Sequence, residues 1–194
     1  MAKLSVRPAL FVLAVSASLL LAGCGAPSQS MTMTIPKQDL LQLRTWVPDA
    51  LKFNVALEHV QGGTNTSFWW GSHVSAMAFE NALDDSLRGV GMLPPAPPTA
   101  KQQPRYLLKA NIIALMQPLV AASPEVGISV RYQLVDRSDG AVVYERTLRT
   151  TGNASFSDSM LSQPDRTRLA NEEAVRKNLT AALRDLMALR IEGR

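Results

Sequence analysis

Val126-Gly127-Ile128-Ser129-Val130-Arg131-Tyr132-Gln133-Leu134-Val135, followed by Asp136-Arg137-Ser138-Asp139-Gly140, is the stretch that decides the fold. Val126, Ile128, Val130, Tyr132 and Leu134 fall on every second position, with Gly127, Ser129, Arg131 and Gln133 between them. Successive side chains of a strand point to opposite faces, so this alternation predicts a strand with one face in a core. Residues 136–140 read as a tight turn with Gly140 where φ is positive. Beyond it Val142, Tyr144 and Leu148 define a returning strand, which makes 126–150 an antiparallel hairpin.

Working outward, residues 106–116 are apolar at nearly every position, as expected of a strand covered on both faces or central in its sheet. Further upstream Phe53, Val55 and Leu57 alternate with Lys52, Asn54 and Glu58, a half-buried strand. Residues 61–71 read as a loop by their Gly, Thr, Asn and Ser content. Ser72 can then cap a helix that buries Ala76, Phe79, Leu83 and Leu87 and turns Glu80, Asn81, Asp84, Asp85 and Arg88 to water. Gly89 is placed to stop it, and Pro94-Pro95-Ala96-Pro97-Pro98 forms a short extended spacer.

On the other side of the hairpin a polar loop leads to a long helix from Asp165, with Val175, Leu179, Ala182, Leu183 and Leu186 as its buried stripe. Glu173 and Lys177 are an i, i+4 pair in the favourable orientation. The order strand, helix, strand, strand, strand, helix predicts a single α+β domain over 50–190: a mainly antiparallel sheet of about four strands, with two helices packed on one face.

The composition agrees. At 194 residues, 46% hydrophobic and 19% charged, the chain can bury one domain-sized core, which excludes a disordered chain, a collagen or a coiled-coil rod. One cysteine and two histidines rule out a disulfide framework and supply little for metal sites or for thiol and imidazole catalysis; no metal and no cofactor is expected.

The single cysteine has a specific place. Residues 1–23 read as a secretory signal, with Lys3 and Arg7 ahead of an apolar run over 9–22 that is too short for a comfortable membrane span. The run ends in Leu21-Ala22-Gly23-Cys24, which resembles the bacterial lipobox. By that resemblance Leu21, Ala22 and Gly23 are read by the lipoprotein signal peptidase, and Cys24 carries diacylglyceryl and N-acyl groups. The plainer reading, a small apolar cysteine inside an ordinary signal, is disfavoured because start, charge, run length and cysteine placement all agree. Cleavage leaves 171 residues and, with Lys3 and Arg7 gone, lowers the net charge from +4 to +2. So weak a charge does not point to nucleic acid as a partner.

Each buried acyl CH₂ contributes about 0.8 kcal/mol, so two or three chains hold a protein to a bilayer without a transmembrane helix. Gly25 after the cysteine, in place of Asp, implies by resemblance to Gram-negative sorting the outer membrane, facing the periplasm, with the inner membrane as the alternative. Residues 24–49, with Pro27, Pro36 and Pro48, read as the lipidated cysteine, a tether and a lead-in segment. The closing Ile191-Glu192-Gly193-Arg194 matches a protease site used to trim recombinant proteins and carries no functional weight.

A family resemblance now has residues to rest on. Phe79-x-x-Ala82-Leu83-x-x-x-Leu87 ending in Gly, the opening Tyr106-Leu107-Leu108, the run Val130-Arg131-Tyr132-Gln133-Leu134-Val135-Asp136 and the helix from Ala170-Asn171-Glu172 to Asn178 resemble small periplasm-facing lipoproteins of proteobacteria. Among these the chain resembles the auxiliary lipoproteins of ABC-type lipid-transport systems together with related uncharacterised outer-membrane lipoproteins. The resemblance implies an accessory role rather than a reaction, and the hexapeptide repeats of left-handed β-helix acyltransferases are absent.

Candidate sites are few. His59 and His73 are the only imidazoles, and neither a Gly-x-Ser-x-Gly elbow nor a His-Glu-x-x-His pair exists. His73, at a helix start, is better explained as a capping or surface group. Asp84 and Asp85 diverge by about 100° around their helix, a solvated face rather than an acid–base pair. Asn171 and Asn178 share a helix side, and hydrogen bonds to neighbouring loop backbone explain them better than a ligand.

Phe68-Trp69-Trp70 is the strongest candidate for partner or ligand binding, because three consecutive large aromatics cannot all enter one core. Closing the end of the core under the loop is the competing explanation. Leu119, Val120, Phe156, Met160 and Leu161 could form a second apolar lip. The resulting expectation is a non-catalytic, lipid-anchored envelope protein that docks onto an envelope protein of a transport or assembly machine. A lipid- or glycan-binding carrier with a groove between sheet and helices is the alternative, and an envelope enzyme the least favoured.

Overall fold

The computed structural model describes residues 27–63, 74–95, 103–117, 125–154 and 163–191. Along the chain run α1 (Ser30–Met33), α2 (Lys37–Arg44), a 3₁₀ turn (Asp49–Leu51), β1 (Val55–Leu57), β2 (Gln61–Gly62), α3 (Ala76–Val90), β3 (Tyr106–Met116), β4 (Glu125–Asp136), β5 (Val142–Asn153) and α4 (Gln163–Met187). The sheet order is β1-β3-β4-β5, with β2 pairing beside β1 on the same edge of β3. β3, β4 and β5 form an antiparallel meander in which Leu108 lies opposite Leu134 and Leu134 opposite Tyr144. The chain is thus an α+β domain with a mainly antiparallel sheet, as its pattern predicts. The parallel pairing of β1 and β2 with β3 is an addition, and it makes β1, α3 and β3 a crossover unit.

The alternation in β4 does what its period requires: Val126, Ile128, Val130, Tyr132 and Leu134 are all buried. They meet Phe79, Leu83 and Leu87 from α3 and Val175, Leu179, Leu183 and Leu186 from α4 in one core, with Gly140 in the turn at φ 74°. α4 lies closest to the sheet at Gly152 on β5, where an added Cβ would run into the backbone of Ala170 and Ala174. Only glycine leaves room for helix and strand backbones to approach so nearly.

Several local readings need correction. The α3 cap is Ser75, whose hydroxyl accepts from the Ala78 N–H at 3.1 Å; Ser72 lies outside the described residues. The helix runs through Gly89, which packs under Leu40 of α2, and stops at Gly91. Gly91 takes the left-handed φ of 79° that terminates a helix at little cost, and the Met92 N–H closes back on the Leu87 carbonyl at 2.9 Å. Phe53 is no strand residue. It sits at φ 54° and is half exposed, and its N–H donates to the Gly91 carbonyl, so it belongs to the corner that joins the 3₁₀ turn to the end of α3. Val142 is 52% exposed, not core, because the register slips between Leu134 and Val135.

The segment ahead of residue 50 is the largest departure. Rather than a lead-in outside the domain, it is packed on it: Met33, Ile35, Leu40 and Val47 are buried, and even Ser28 is. α1 rests on both α3 and α4, and α2 on α3. The Ile35 N–H reaches the Ser86 hydroxyl of α3 at 3.4 Å, and the Gln29 N–H reaches Glu172 Oε1 of α4 at 3.0 Å.

Candidate functional site

The sheet has a covered face and an open one. On the open face two cross-strand rows follow from the register: Lys109, Gln133 and Glu145 in one, Asn111, Arg131 and Thr147 in the next. Asn111, Arg131, Glu145 and Thr147 are exposed. Glu58, just past β1, joins the first row through Lys109 Nζ at 3.0 Å from its Oε2, while Arg131 Nε stands 4.0 Å from Glu145 Oε1. A shallow depression of about 230 Å³ lies among Glu58, His59, Lys109, Asn111, Arg131 and Gln133. With both signs of charge in reach and both cations already opposed, this face can bind a polar surface of mixed charge.

Several acids elsewhere are held by cations. Arg105 grips Asp136 through Nε and Nη2, at 2.9 and 2.7 Å from Oδ2. The Ser138 N–H and hydroxyl also donate to Asp136 Oδ1, at 2.9 and 2.6 Å. Arg105 first, then Ser138, hold the Asp136 carboxyl well below the usual carboxylate range. The pair ties the start of β3 to the turn after β4. Asp185 accepts from Tyr144 OH at 2.9 Å and from Arg146 Nη1 at 3.0 Å, fastening α4 to β5. Burial, and then the bond to Asp185, push the Tyr144 phenol up. Asp84 is taken by Arg88 and Glu173 by Lys177, the solvated helix faces that the sequence indicates.

His59 is an exposed side chain whose Nδ1 lies 2.9 Å from Glu80 Oε1; the other oxygen of Glu80 accepts the Val60 N–H at 2.8 Å. Glu80 therefore fixes the end of β1 to α3, with His59 on its outer side. Asn171 and Asn178 are fully buried, and the partners of Asn178 lie on strands rather than in a loop. Asn178 Oδ1 accepts from Tyr132 OH at 2.8 Å, and its Nδ2 donates to the Leu148 carbonyl and to Thr150 Oγ1, both at 3.1 Å. Asn171 Oδ1 accepts from Gln117 Nε2 at 2.7 Å. Asn178 thus seats α4 on β4 and β5, and Asn171 ties it to the residue just past β3. Burial pushes the Tyr132 phenol far above its ordinary range, so the hydroxyl stays a donor.

Cys24 with Leu21, Ala22 and Gly23, the aromatic run Phe68, Trp69 and Trp70, His73, and the apolar residues Leu119, Val120, Phe156, Met160 and Leu161 lie outside the described residues. Among the described residues no group of three or more His, Cys, Asp or Glu side chains converges, and no helix is long and apolar enough to cross a membrane. The interior between sheet and helices is filled by the fully buried side chains of the core. A groove of about 530 Å³ lies outside it, beside α1 and α2, with Met31, Ile35, Pro36, Lys37, Leu40, Asp85 and Arg176 among its walls. Sequence reasoning missed the Arg105–Asp136 and Tyr144–Asp185 pairs, whose members are 31 and 41 positions apart. Only Asp136, as a turn residue, gave a local signal.

No protein-family model matches the chain, and no curated protein matches it. Solved structures do. A DUF330 protein from Xanthomonas campestris is similar with a TM-score of 0.53 at 12% identity, over 71% of this chain and 87% of that one. At that identity the likeness shows a shared fold. A protein described as a lipoprotein from Caulobacter crescentus matches over 76% of this chain and 95% of its own, at 14% identity and a TM-score of 0.48. The PelC dodecamer from Paraburkholderia phytofirmans matches over 74% and 94%, at 22% identity and a TM-score of 0.47.

Proposed function

We propose that the chain is a non-catalytic lipoprotein, held to the outer membrane by acyl groups on Cys24, that serves as an accessory component of a transport or envelope-assembly system. The observation that carries this reading is the asymmetry of the sheet: one face is sealed under α3 and α4, while the other presents the rows of Lys109 and Arg131 to the surroundings. On that face Lys109 is paired with Glu58 and Arg131 stands opposite Glu145, which suits a contact surface of mixed charge. The aromatic run Phe68-Trp69-Trp70 is a second contact in this reading.

Two measurements test it. Cells fed a labelled fatty acid incorporate it into the wild-type chain and not into Cys24→Ala, which accumulates as uncleaved precursor; equal labelling of both overturns the anchor. A photo-cross-linking residue at Thr147 captures a component of an envelope transport or assembly machine, whereas the same residue at Asp139, on the turn after β4, does not. Identical adducts from both positions, or none from Thr147, overturn docking through the open face. Trp69→Ala or Trp70→Ala weakens capture while leaving membrane location intact.

A further inference from the structure

The distance between the proposed anchor and the first packed residue is short enough to fix how the domain sits on the bilayer. Ser28 is buried, and Gln29 is bonded to Glu172 of α4. From Cys24 to Ser28 the chain advances four residues, which even fully extended reach no more than about 14 Å. A domain of this length has a radius of gyration of about 16 Å and is therefore roughly 40 Å across. Only the surface around α1 can then touch the membrane; a tether of that reach cannot bring the far side down.

The geometry of α4 shows which surface this is. Ala174 faces β5, its carbonyl accepting from Thr150 Oγ1 at 2.8 Å. Arg176 faces α1, its Nη1 donating to the Thr32 carbonyl at 3.2 Å. Two residues advance about 200° around a helix, so α1 lies against the side of α4 turned away from the sheet. There Met31 is 84% exposed, an unbranched apolar side chain at the mouth of the groove beside α1. The cations Lys37 and Arg176 stand on the walls of the same groove, which also carries the carboxylate of Asp85. An exposed apolar tip in a groove that carries two cations against one acid suits the boundary between acyl chains and phosphate-bearing headgroups.

We infer that the domain is seated with α1 on the phospholipid headgroups, Met31 dipping among them and Lys37 and Arg176 facing phosphates, so that the open face of the sheet is turned away from the anchoring bilayer. The inference rests on acylation of Cys24 and adds to it an orientation: the partner is met from the aqueous side, not across the membrane surface.

Cys24, once acylated, offers no free thiol, so a single introduced cysteine can be labelled uniquely. Lipidated Met31→Cys and Thr147→Cys proteins carry a fluorophore and are reconstituted in vesicles of phosphatidylethanolamine and phosphatidylglycerol containing a headgroup-linked nitroxide quencher. Quenching at position 31 is expected to be several-fold stronger than at position 147. A flexible Gly/Ser insert of twenty residues after Gly25 should abolish most of that difference. Equal quenching at both sites in protein whose acyl label is confirmed overturns the seating alone. Absence of the acyl label, with protein washing off the vesicles, overturns the anchor and the seating with it. Stronger quenching at 147 would turn the molecule over.

Discussion

Arg131 and Tyr132 are neighbours on β4 and share almost nothing else. Tyr132 is fully buried, its hydroxyl spent on Asn178 of α4, and Arg131 points into solvent 4.0 Å from Glu145. The contrast is sharpest there: Gln133 is only half-buried, and Gly127 and Ser129 nearer the start of the strand are buried although they fall on the Arg131 side. One face is committed through volume and through buried hydrogen bonds, which resist substitution because neither a void nor an orphaned polar atom can be relieved in place. Around Arg131 the other face carries cross-strand pairs in water, each contributing a fraction of a kcal/mol. A sheet that needs both faces for stability has no surface to give to a partner; the proposed docking uses the face on which the described residues bury least.

The contrast can be tested from the covered side outward. Emptying the core has the largest effect: Phe79→Ala should cost about 3–5 kcal/mol and Leu183→Ala about 2–5 kcal/mol, read by denaturant unfolding. An unchanged midpoint for Leu183→Ala would mean that α4 is not docked on the sheet. Next comes Asn178→Ala, which strands the Tyr132 hydroxyl and the Leu148 carbonyl; about 1–3 kcal/mol is expected for each group left without a partner. Tyr132→Phe should recover part of that loss, and no recovery would show that the amide acts through its volume alone.

The Arg105–Asp136 clamp gives a pH-dependent effect. Because the folded carboxyl titrates below its ordinary value of about 3.9, the native state binds fewer protons than the unfolded one. The stabilisation is therefore complete above about pH 4 and is lost as the pH falls toward the folded-state value. Asp136→Asn should lower the Tm at neutral pH and flatten its decline below pH 4; parallel acid profiles for the two proteins would contradict the clamp. Smallest of all is Arg131→Ala on the open face, expected within about 0.5 kcal/mol of wild type yet weakening capture by the cross-linker at Thr147. A Tm loss on the scale of Phe79→Ala would erase the distinction between the faces.

What could be read in the sequence follows the same division. β4 was legible because burial on one side leaves a period of two, and the stripe from Val175 to Leu186 was legible because burial on one side of a helix leaves its own spacing. The hairpin turn was legible because Gly140 and the flanking polar residues are local chemistry. Features set by distant partners were not. Gly89 and Gly91 both look like stops, and the choice depends on Leu40 packing over the first and on a backbone bond closing at the second. The alternation of Phe53 with Val55 imitates a strand, although Phe53 turns a corner onto Gly91. α1 is too short and too polar to show a period, so nothing in residues 30–33 announces that Met33 is core. The open face is legible only as the polar half of β4; which charges oppose one another there depends on registers that no single strand encodes.

The contact between Gln29 and Glu172 spans 143 positions, and that between Arg176 and Thr32 spans 144. A segment that precedes the whole sheet in the chain therefore docks on the helix that follows it. Until α4 exists, α1 has only α3 to lean on, and Met33 and Ile35 stay without half of their surroundings. Such non-local closure is slow relative to helix and hairpin formation, which makes joining the two ends the late event of folding. A nascent chain cut before α4 would keep its hairpin pattern and lose the clasp that shuts the molecule.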